Sequence, residues 1–249
     1  MRTACRMSAE IRDICAAAVA PGVTTGEIDQ LVIDYCARHK VIASFYDYPG
    51  GRGCPNFSGH LCVSINDEVI HGVPDPHRVI LPGDLVKTDV GIFTGGFHGD
   101  TSRTVALGVT DPEVLRLVET TKKCLAAGIA ACGPGARLGD VGHAIETVAV
   151  AAGFGVVRDW VGHGVGREVH EPPNVPNYGE PGTGLKLKPG MTLAIEPMIA
   201  MTKAGERTEI LDNCWTVVTR DRSLSAHFEH TVAITDDGCE VLTLPADYP

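Results

Sequence analysis

Apolar and polar positions follow two different periods along the chain. Apolar residues at helical spacing predict four helices, over residues 8–19, 24–39, 111–131 and 138–152. A capping box supports the start of the second helix, because Glu27 follows Thr24 by three positions. From residue 156 onwards, short alternating or apolar runs separated by loops predict strands. The pattern therefore indicates an α+β protein.

Residues 85–107, LVKTDVGIFTGGFHGDTSRTVAL, predict a β-hairpin. Both arms are rich in β-branched residues, and Gly95-Gly96 between them suits a two-residue turn with positive φ. Such a turn makes Asp89 and Asp100 diagonal neighbours on one face, roughly 7–8 Å apart at the backbone. Two carboxylates this close repel each other unless a cation lies between them. The alternative is a pair of solvent-facing aspartates on an edge hairpin.

Segments of the first half recur, in the same order, in the second half. A Pro-Gly pair leads to Asp89 in one copy and to Glu196 in the other. The repeat predicts one domain, residues 1–249, made of two related halves at about 8–108 and 112–240. In this prediction a curved antiparallel sheet lies inside and the helices outside. Asp89 and Glu196 would then meet at a pseudo-twofold axis.

Composition narrows the class of protein. With 44% hydrophobic and 21% charged residues, the 249-residue chain is typical of a globular protein without a membrane-spanning segment. A net charge of −10 argues against nucleic acid or an anionic membrane as the main partner. Nine scattered cysteines without a CxxC pair predict reduced thiols and a cytoplasmic location.

Three further residues could join the hairpin aspartates. Glu196 ends an apolar strand before Pro197, Glu229 lies within another apolar strand, and His163 occupies a glycine-bracketed turn. Taken singly, Glu196 could be an ordinary strand-end residue, Glu229 an exposed residue and His163 a turn residue. His227 and His230 are expected to be strand residues without a catalytic role. Together, however, buried carboxylates need partners, and few lysines or arginines lie near them in the sequence.

Four carboxylates and one imidazole carry a charge of about −4 that two divalent cations would balance. The mixed oxygen and nitrogen ligands favour Mn, Fe(II), Co or Zn. Two such ions roughly 3.5–4 Å apart lower the pKa of a bridging water toward neutrality. The candidate chemistry is therefore hydrolysis.

Five motifs in order carry a resemblance to a known family. They are SINDEVIHGVP with His71, DVGIFTGGFHGDTSRT, GHGVGREVHEPPNVPNYG, IEPM and FEHTVAIT. From about residue 8 onwards the chain resembles the bacterial, type I methionine aminopeptidases. The resemblance implies the pita-bread fold and a dinuclear metallo-exopeptidase whose metal ligands are Asp89, Asp100, His163, Glu196 and Glu229. In this assignment Asp100 and Glu229 bridge the two ions.

The resemblance also implies an activity and its residues. The expected reaction removes the initiator methionine from peptides and nascent proteins with small second residues, through attack by a metal-bridged hydroxide. Glu196 would be the proton shuttle, His170 would stabilise the oxyanion, and His71 would contact the peptide near the scissile bond. Cys62 and Trp215 match pocket-lining positions. Transient ribosome contact and a monomeric state are also expected.

Three departures from the family pattern concern the substrate pocket. The segment 46–60 is longer and richer in glycine than usual, Val169 stands where an aromatic residue is common, and Asn213-Cys214 precedes Trp215. Two other functions stay open. Cleavage of Xaa-Pro peptides usually needs an additional N-terminal domain, for which the chain has no room. A binding module of the same fold would be expected to lose metal ligands.

Overall fold

Two pairs of helices and a set of antiparallel strands make up the computed structural model, which describes residues 1–244. The helices are α1 (Arg2–Ala18), α2 (Thr25–His39), α3 (Pro112–Ala131) and α4 (Leu138–Ala151), and a short 3₁₀ helix covers Ala204–Glu206. The strands are β1 (Ile42–Ala43), β2 (Cys62–Ile65), β3 (Glu68–Ile70), β4 (Leu85–Thr94), β5 (Phe97–Ala106), β6 (Gly155–Val156), β7 (Gly162–Gly164), β8 (Glu171–Val175), β9 (Thr192–Ile195), β10 (Met198–Ala200), β11 (Thr208–Ile210), β12 (Val217–Thr219), β13 (Ser225–His227), β14 (His230–Ile234) and β15 (Cys239–Val241).

The helices form where the apolar period and the caps predict them. Thr24 and Glu27 make the capping box, because each side chain bonds the backbone N–H of the other residue. Asp111 caps α3. Helix α1 begins at Arg2 rather than at residue 8, and no side chain caps its start. The prediction was therefore correct for the apolar face of α1 and wrong for its first turn.

The hairpin of β4 and β5 has the predicted register. Asp89 pairs with Ser102 and Gly91 with Asp100, while Gly95 and Gly96 both have positive φ in a two-residue turn. Both aspartates therefore lie on one face of the hairpin, which is the arrangement that a two-residue turn requires.

All strand pairs between the named elements are antiparallel. The hairpin belongs to a four-stranded sheet with β1 and β2, and a five-stranded sheet has the order β15-β14-β9-β7-β8. Two three-stranded sheets, β13-β10-β6 and β11-β12-β3, complete the set. Mixed helices and antiparallel sheets confirm the α+β class. The division into two related halves stays a prediction.

Each helix pair covers its own apolar core. Residues such as Ile11 and Val32 from α1 and α2 pack on Val90 of β4, and Leu117 of α3 packs in a second core with Ile195 of β9. The helices thus pack on one face of the strands. The opposite face, which points inward, can therefore carry polar groups. Within residues 1–244, no helix is long and apolar enough to cross a membrane.

Candidate metal centre and substrate cavity

Threonine hydroxyls hold the hairpin against the strands that flank Glu229. The Thr231 hydroxyl accepts a hydrogen bond from Asp100 N and donates one to Asp100 O. Thr101 donates its hydroxyl proton to Glu229 O, and Glu229 N donates to Ser102 O. These bonds place Asp100 and Glu229 side by side, although they are far apart in the sequence. Glu229 lies between β13 and β14 and not within one strand as predicted.

His163 and Glu196 come from neighbouring strands of the five-stranded sheet. His163 pairs with Ala194, and Glu196 directly follows β9, where Asn177 donates a hydrogen bond to its carbonyl oxygen. The predicted turn at His163 is wrong, because the residue is the centre of β7. A Cβ on Gly162 would lie 2.3 Å from Ala194 O, so this glycine allows close approach between strands and does not form a turn.

The structure brings the five predicted ligands to one cavity, which all of them line. One ligand atom from each of Asp100, His163 and Glu229 lies within 4.8 Å of the others. His163 Nε2 is 3.4 Å from Glu196 Oε1 and 3.8 Å from Asp100 Oδ2. The fifth residue, Asp89, projects from β4 into the same space.

The four carboxylates are crowded and make no ion pair with a lysine or arginine in residues 1–244. Burial and the other carboxylates raise the pKa values of Asp89, Glu196 and Glu229 well above their usual range, although the Arg12 guanidinium lowers that of Glu229 in part. Burial raises the pKa of Asp100 to about 7. In the part of the chain that the structure describes, Oδ1 of Asp89 and Oδ1 of Asp100 are buried without a hydrogen-bond partner. Within the described residues, no lysine or arginine nitrogen lies within 4 Å of these four carboxylates.

The tautomer of His163 indicates what lies between these groups. Nδ1 is 2.9 Å from the carbonyl oxygen of Gly164, which only accepts, so Nδ1 carries the proton. Burial lowers the pKa of His163, so the ring is neutral and Nε2 presents a lone pair. That lone pair faces carboxylate oxygens, which is repulsive unless a cation intervenes. The same orientation is usual for metal-bound histidines, so the residues present fit a divalent metal.

The cavity has a volume of about 350 Å³ and two chemically different sides. The acidic cluster forms one side. Phe45, Phe57, Cys62 and Trp215 form the other side. Val169 packs in the same apolar cluster but does not line the cavity. Sequence reasoning did not find Phe45 and Phe57, because they lie beside or within segment 46–60, which departs from the family pattern.

His71 and His170 also line the cavity. The ring centroids of His170 and His163 are 4.4 Å apart, and His170 Nδ1 lies 2.9 Å from the Tyr48 hydroxyl. His71 has a positive φ of 58° and stacks edge-on against Trp160. Desolvation and the neighbouring imidazole of His163 lower the pKa values of both histidines, although His170 lies at the solvent-exposed mouth. Both rings are neutral near pH 7.

A disulfide joins the long loop to the opposite rim of the cavity. It links Cys54 to Cys214, whose Cα atoms are 5.8 Å apart, and Trp215 Nε1 donates a hydrogen bond to Pro55 O. The expectation of reduced thiols is therefore wrong for this pair, whereas the other seven cysteines are free. A separation of 160 residues leaves no local sequence pattern that could reveal such a pair.

Comparison with known proteins places this geometry in a family. Residues 1–236 match the profile of metallopeptidase family M24. The chain belongs to this family. A methionine aminopeptidase of Clostridium acetobutylicum is 45% identical over 244 residues, which are 98% of this chain and 94% of that protein. The methionine aminopeptidase of Escherichia coli K12 is 43% identical over 249 residues, or 99% and 91% of the two chains.

Solved structures of M24 proteins show the same fold. The crystal structure of a methionine aminopeptidase from Thermotoga maritima matches with a TM-score of 0.92 at 42% identity, over 98% of this chain and 94% of that one. A prolidase from Pyrococcus furiosus has a TM-score of 0.73 at 22% identity, over 98% of this chain and 62% of that one, which shows the fold alone. The resemblance and the pita-bread fold are confirmed. As an M24 metallopeptidase, the protein is a metal-dependent hydrolase.

Proposed function

We propose that this metallopeptidase removes the N-terminal methionine from peptides and nascent proteins whose second residue is small. The observation that carries the proposal is a single cavity with uncompensated carboxylates at one side and an apolar aromatic wall at the other. The relatives of highest similarity reported above are methionine aminopeptidases. The preference for a small second residue comes from the family resemblance of the sequence.

The apolar wall suits a methionine side chain. Phe45, Phe57 and Trp215 offer ring edges and faces, with which a thioether sulfur makes favourable contacts. Methionine is also flexible enough to fill an irregular cavity. The acidic side would hold the free α-amine of the first residue, which explains action only at the start of a chain. Cys62 also lines this cavity.

Two divalent cations, of Mn, Fe(II), Co or Zn, would be held by Asp89, Asp100, His163, Glu196 and Glu229, with Asp100 and Glu229 shared between them. When bound, such ions lower the pKa of the attacking water and polarise the carbonyl group. Support for this ligand set comes from the unpaired oxygens and from the lone pair of His163. The carboxylates alone would repel each other, so the chain needs the cations to hold them ionised.

The protein side chains would then move the proton and bind the oxyanion. Glu196 takes the proton of the attacking water and passes it to the leaving amine. A neutral His170 whose Nδ1 accepts from the Tyr48 hydroxyl carries its own proton on Nε2, where it can donate to the developing oxyanion. His71, on the other side of the cavity, contacts the peptide near the scissile bond.

The proposal is tested by methionine release from Met-Ala-Ser, compared with Met-Phe-Ser and Xaa-Pro-Ala peptides, in Mn(II) or Co(II) and after chelation. We expect release from Met-Ala-Ser only with metal. Release that survives complete metal removal would exclude the mechanism. Preferential Xaa-Pro cleavage would select the prolidase-like activity, and no turnover with any of the metals would select a binding module.

Glu196→Gln tests the proton shuttle directly. We expect turnover to fall by about 100-fold or more, since a positioned acid–base group contributes roughly 10²–10⁴-fold. Glu119→Gln is the matched control, because Glu119 is exposed on α3 and pairs only with Lys122. Near-wild-type turnover of Glu196→Gln would assign the relay to another group. The cytoplasmic location, ribosome contact and monomeric state stay predictions.

A further inference from the structure

His227 lies against the metal centre, although neither the sequence analysis nor the proposed mechanism gives it a role. Its side chain is buried, with 1% of the residue exposed. Both ring nitrogens are buried and have no hydrogen-bond partner within the described residues. Buried polar groups are rarely left unpaired, so an imidazole in this state calls for a functional explanation. Its Nε2 is 3.4 Å from Oε2 of Glu196.

The backbone of His227 is fixed on both sides, which determines where its ring lies. The Thr104 hydroxyl accepts a hydrogen bond from His227 N and donates one to His227 O. His227 also pairs with Met198, which is two residues beyond Glu196. The strand therefore fixes the Cα position of His227, and burial of the side chain keeps the imidazole next to the carboxylate.

Glu196 lies between two imidazoles, one at each carboxylate oxygen. Oε1 is 3.4 Å from His163 Nε2 on the side of the metal centre, and Oε2 is 3.4 Å from His227 Nε2. Asn177 holds the carbonyl oxygen of the same residue. In the described structure, His227 is the group that can donate a proton to Oε2. A neutral imidazole has one N–H, and only the tautomer protonated at Nε2 places it toward an acceptor.

We propose that His227 is a positioning residue for Glu196, donating its Nε2–H to Oε2 and thereby fixing the plane of the carboxylate that relays the proton. This inference rests on the proposed function, because it deepens the role given there to Glu196. A fixed plane keeps Oε1 directed to the metal side during the whole reaction. Without the donor, the carboxylate can rotate and meets the attacking water in the wrong orientation. Small errors of orientation of this kind reduce turnover more than binding.

The test compares His227→Gln, which keeps an N–H donor of similar reach, with His227→Asn, whose amide is one methylene shorter, and His227→Leu, which has no donor. His143→Leu is the matched control, because it removes an exposed imidazole on α4. For each protein we would measure kcat and KM for Met-Ala-Ser, the thermal unfolding midpoint, and the visible absorption of the Co(II)-loaded form.

We expect His227→Leu and His227→Asn to lower kcat by at least about tenfold with KM changed by less than about threefold, as for the loss of a hydrogen bond to a charged group. His227→Gln should recover kcat to within about threefold of wild type, since it restores the donor. A kcat of His227→Leu or His227→Asn within twofold of wild type, or His227→Gln as slow as His227→Asn, would overturn the proposal.

A double-mutant cycle separates action through Glu196 from a general structural effect. In the Glu196→Gln background, His227→Asn should change kcat by less than about twofold, because the group that it positions is already lost. Equal losses in both backgrounds would overturn the proposal.

The Co(II) spectrum tests the positioning role of His227 independently of the proposed peptidase activity. If the wild-type protein releases no methionine, the proposed function fails, but the spectrum still reports the coordination of Glu196. We expect His227→Asn to alter the Co(II) absorption while His227→Gln and His143→Leu leave it as in wild type. An unchanged spectrum in His227→Asn would overturn the positioning role, whatever the peptide assay shows.

Discussion

Metal-free protein should lose stability as the pH rises from about 4 to 7, in contrast to proteins whose carboxylates are paired. The pKa of Asp100 is raised by burial from the usual 3.8 to about 7. A group with a raised pKa stabilises the fold fully below its unfolded pKa, where both states are protonated. That stability is lost as the pH rises through the folded pKa, because only the unfolded chain ionises freely. Asp89, Glu196 and Glu229 shift in the same direction.

The size of the effect follows from Asp100 alone. A pKa raised by roughly three units corresponds to a loss of up to about 4 kcal/mol between pH 4 and pH 7. For a chain of this length, 1 kcal/mol shifts the Tm by about 2–4 °C. The metal-free Tm should therefore fall by about 8–16 °C over that whole range, and by about 4–8 °C between pH 5.5 and pH 7.5. A metal at about 100 times its Kd raises the free energy of unfolding by roughly 2.7 kcal/mol, which corresponds to a rise in Tm of about 5–10 °C. This stabilisation should occur mainly at the higher pH, where protons do not compete for the ligands.

The assay is thermal unfolding of chelator-treated protein at pH 5.5 and pH 7.5, with and without Mn(II) or Co(II). Asp100→Asn gives the sharpest comparison, because it removes the charge without changing the shape. We expect this variant to have a higher Tm than wild type in metal-free buffer at pH 7.5 and to show a reduced or absent metal-induced shift. Asp34→Asn, at an exposed position of α2, should change neither quantity.

Two results would refute the reasoning. One is a metal-free Tm that rises steadily from pH 5.5 to pH 7.5, which would mean that the carboxylates are compensated by the protein itself. The other is an Asp100→Asn variant that is less stable than wild type without metal and yet keeps the full metal-induced shift. The second result would place the cation outside the cluster of Asp100, His163 and Glu229.

Two further predictions concern groups that hold the cavity and the metal ligands in place, namely the Cys54–Cys214 disulfide and the Thr231 hydroxyl. Replacing Cys54 and Cys214 together by Ser should lower the free energy of unfolding by about 2–4 kcal/mol. The same change should raise KM for Met-Ala-Ser more than it lowers kcat. An unchanged KM in steady-state assays would show that the disulfide does not shape the cavity. Thr231→Val keeps the side-chain shape but removes the hydroxyl that bonds Asp100 N and O. The metal affinity measured by calorimetry should therefore fall by about 10-fold or more. An affinity equal to that of wild type would show that this hydroxyl does not help to position Asp100.

The parts of the fold with strong local signals could be predicted from the sequence. The register of the hairpin follows from Gly95-Gly96 alone, because a two-residue turn determines every pair that follows it. The capping box at Thr24 similarly determines the start of α2. By contrast, α1 begins at Arg2 without any side-chain cap, so its first turn had no signal and depends on packing against the hairpin.

The errors at the candidate site have a common physical cause, which is contact between distant segments. Glycines around His163 were interpreted as a turn, whereas they allow two strands to approach closely. His227 does lie in a strand, as predicted, but nothing in that strand shows that Glu196 lies beside it. The pairing of Cys54 with Cys214 spans most of the chain. Residue types could indicate the chemistry, but only the tertiary structure shows which of them meet.

The two sides of the cavity are built from different kinds of structure, and this difference has a consequence for specificity. The carboxylates project from or next to strands that threonine hydroxyls and backbone pairs hold in register. The apolar wall includes Phe57 of the loop 46–60, which the Cys54–Cys214 bond ties to the opposite rim. A change in the loop can therefore alter which side chain fits without moving a ligand atom. Since the unusual residues of this chain cluster at the wall, its substrate range should differ from that of its relatives more than its metal chemistry does.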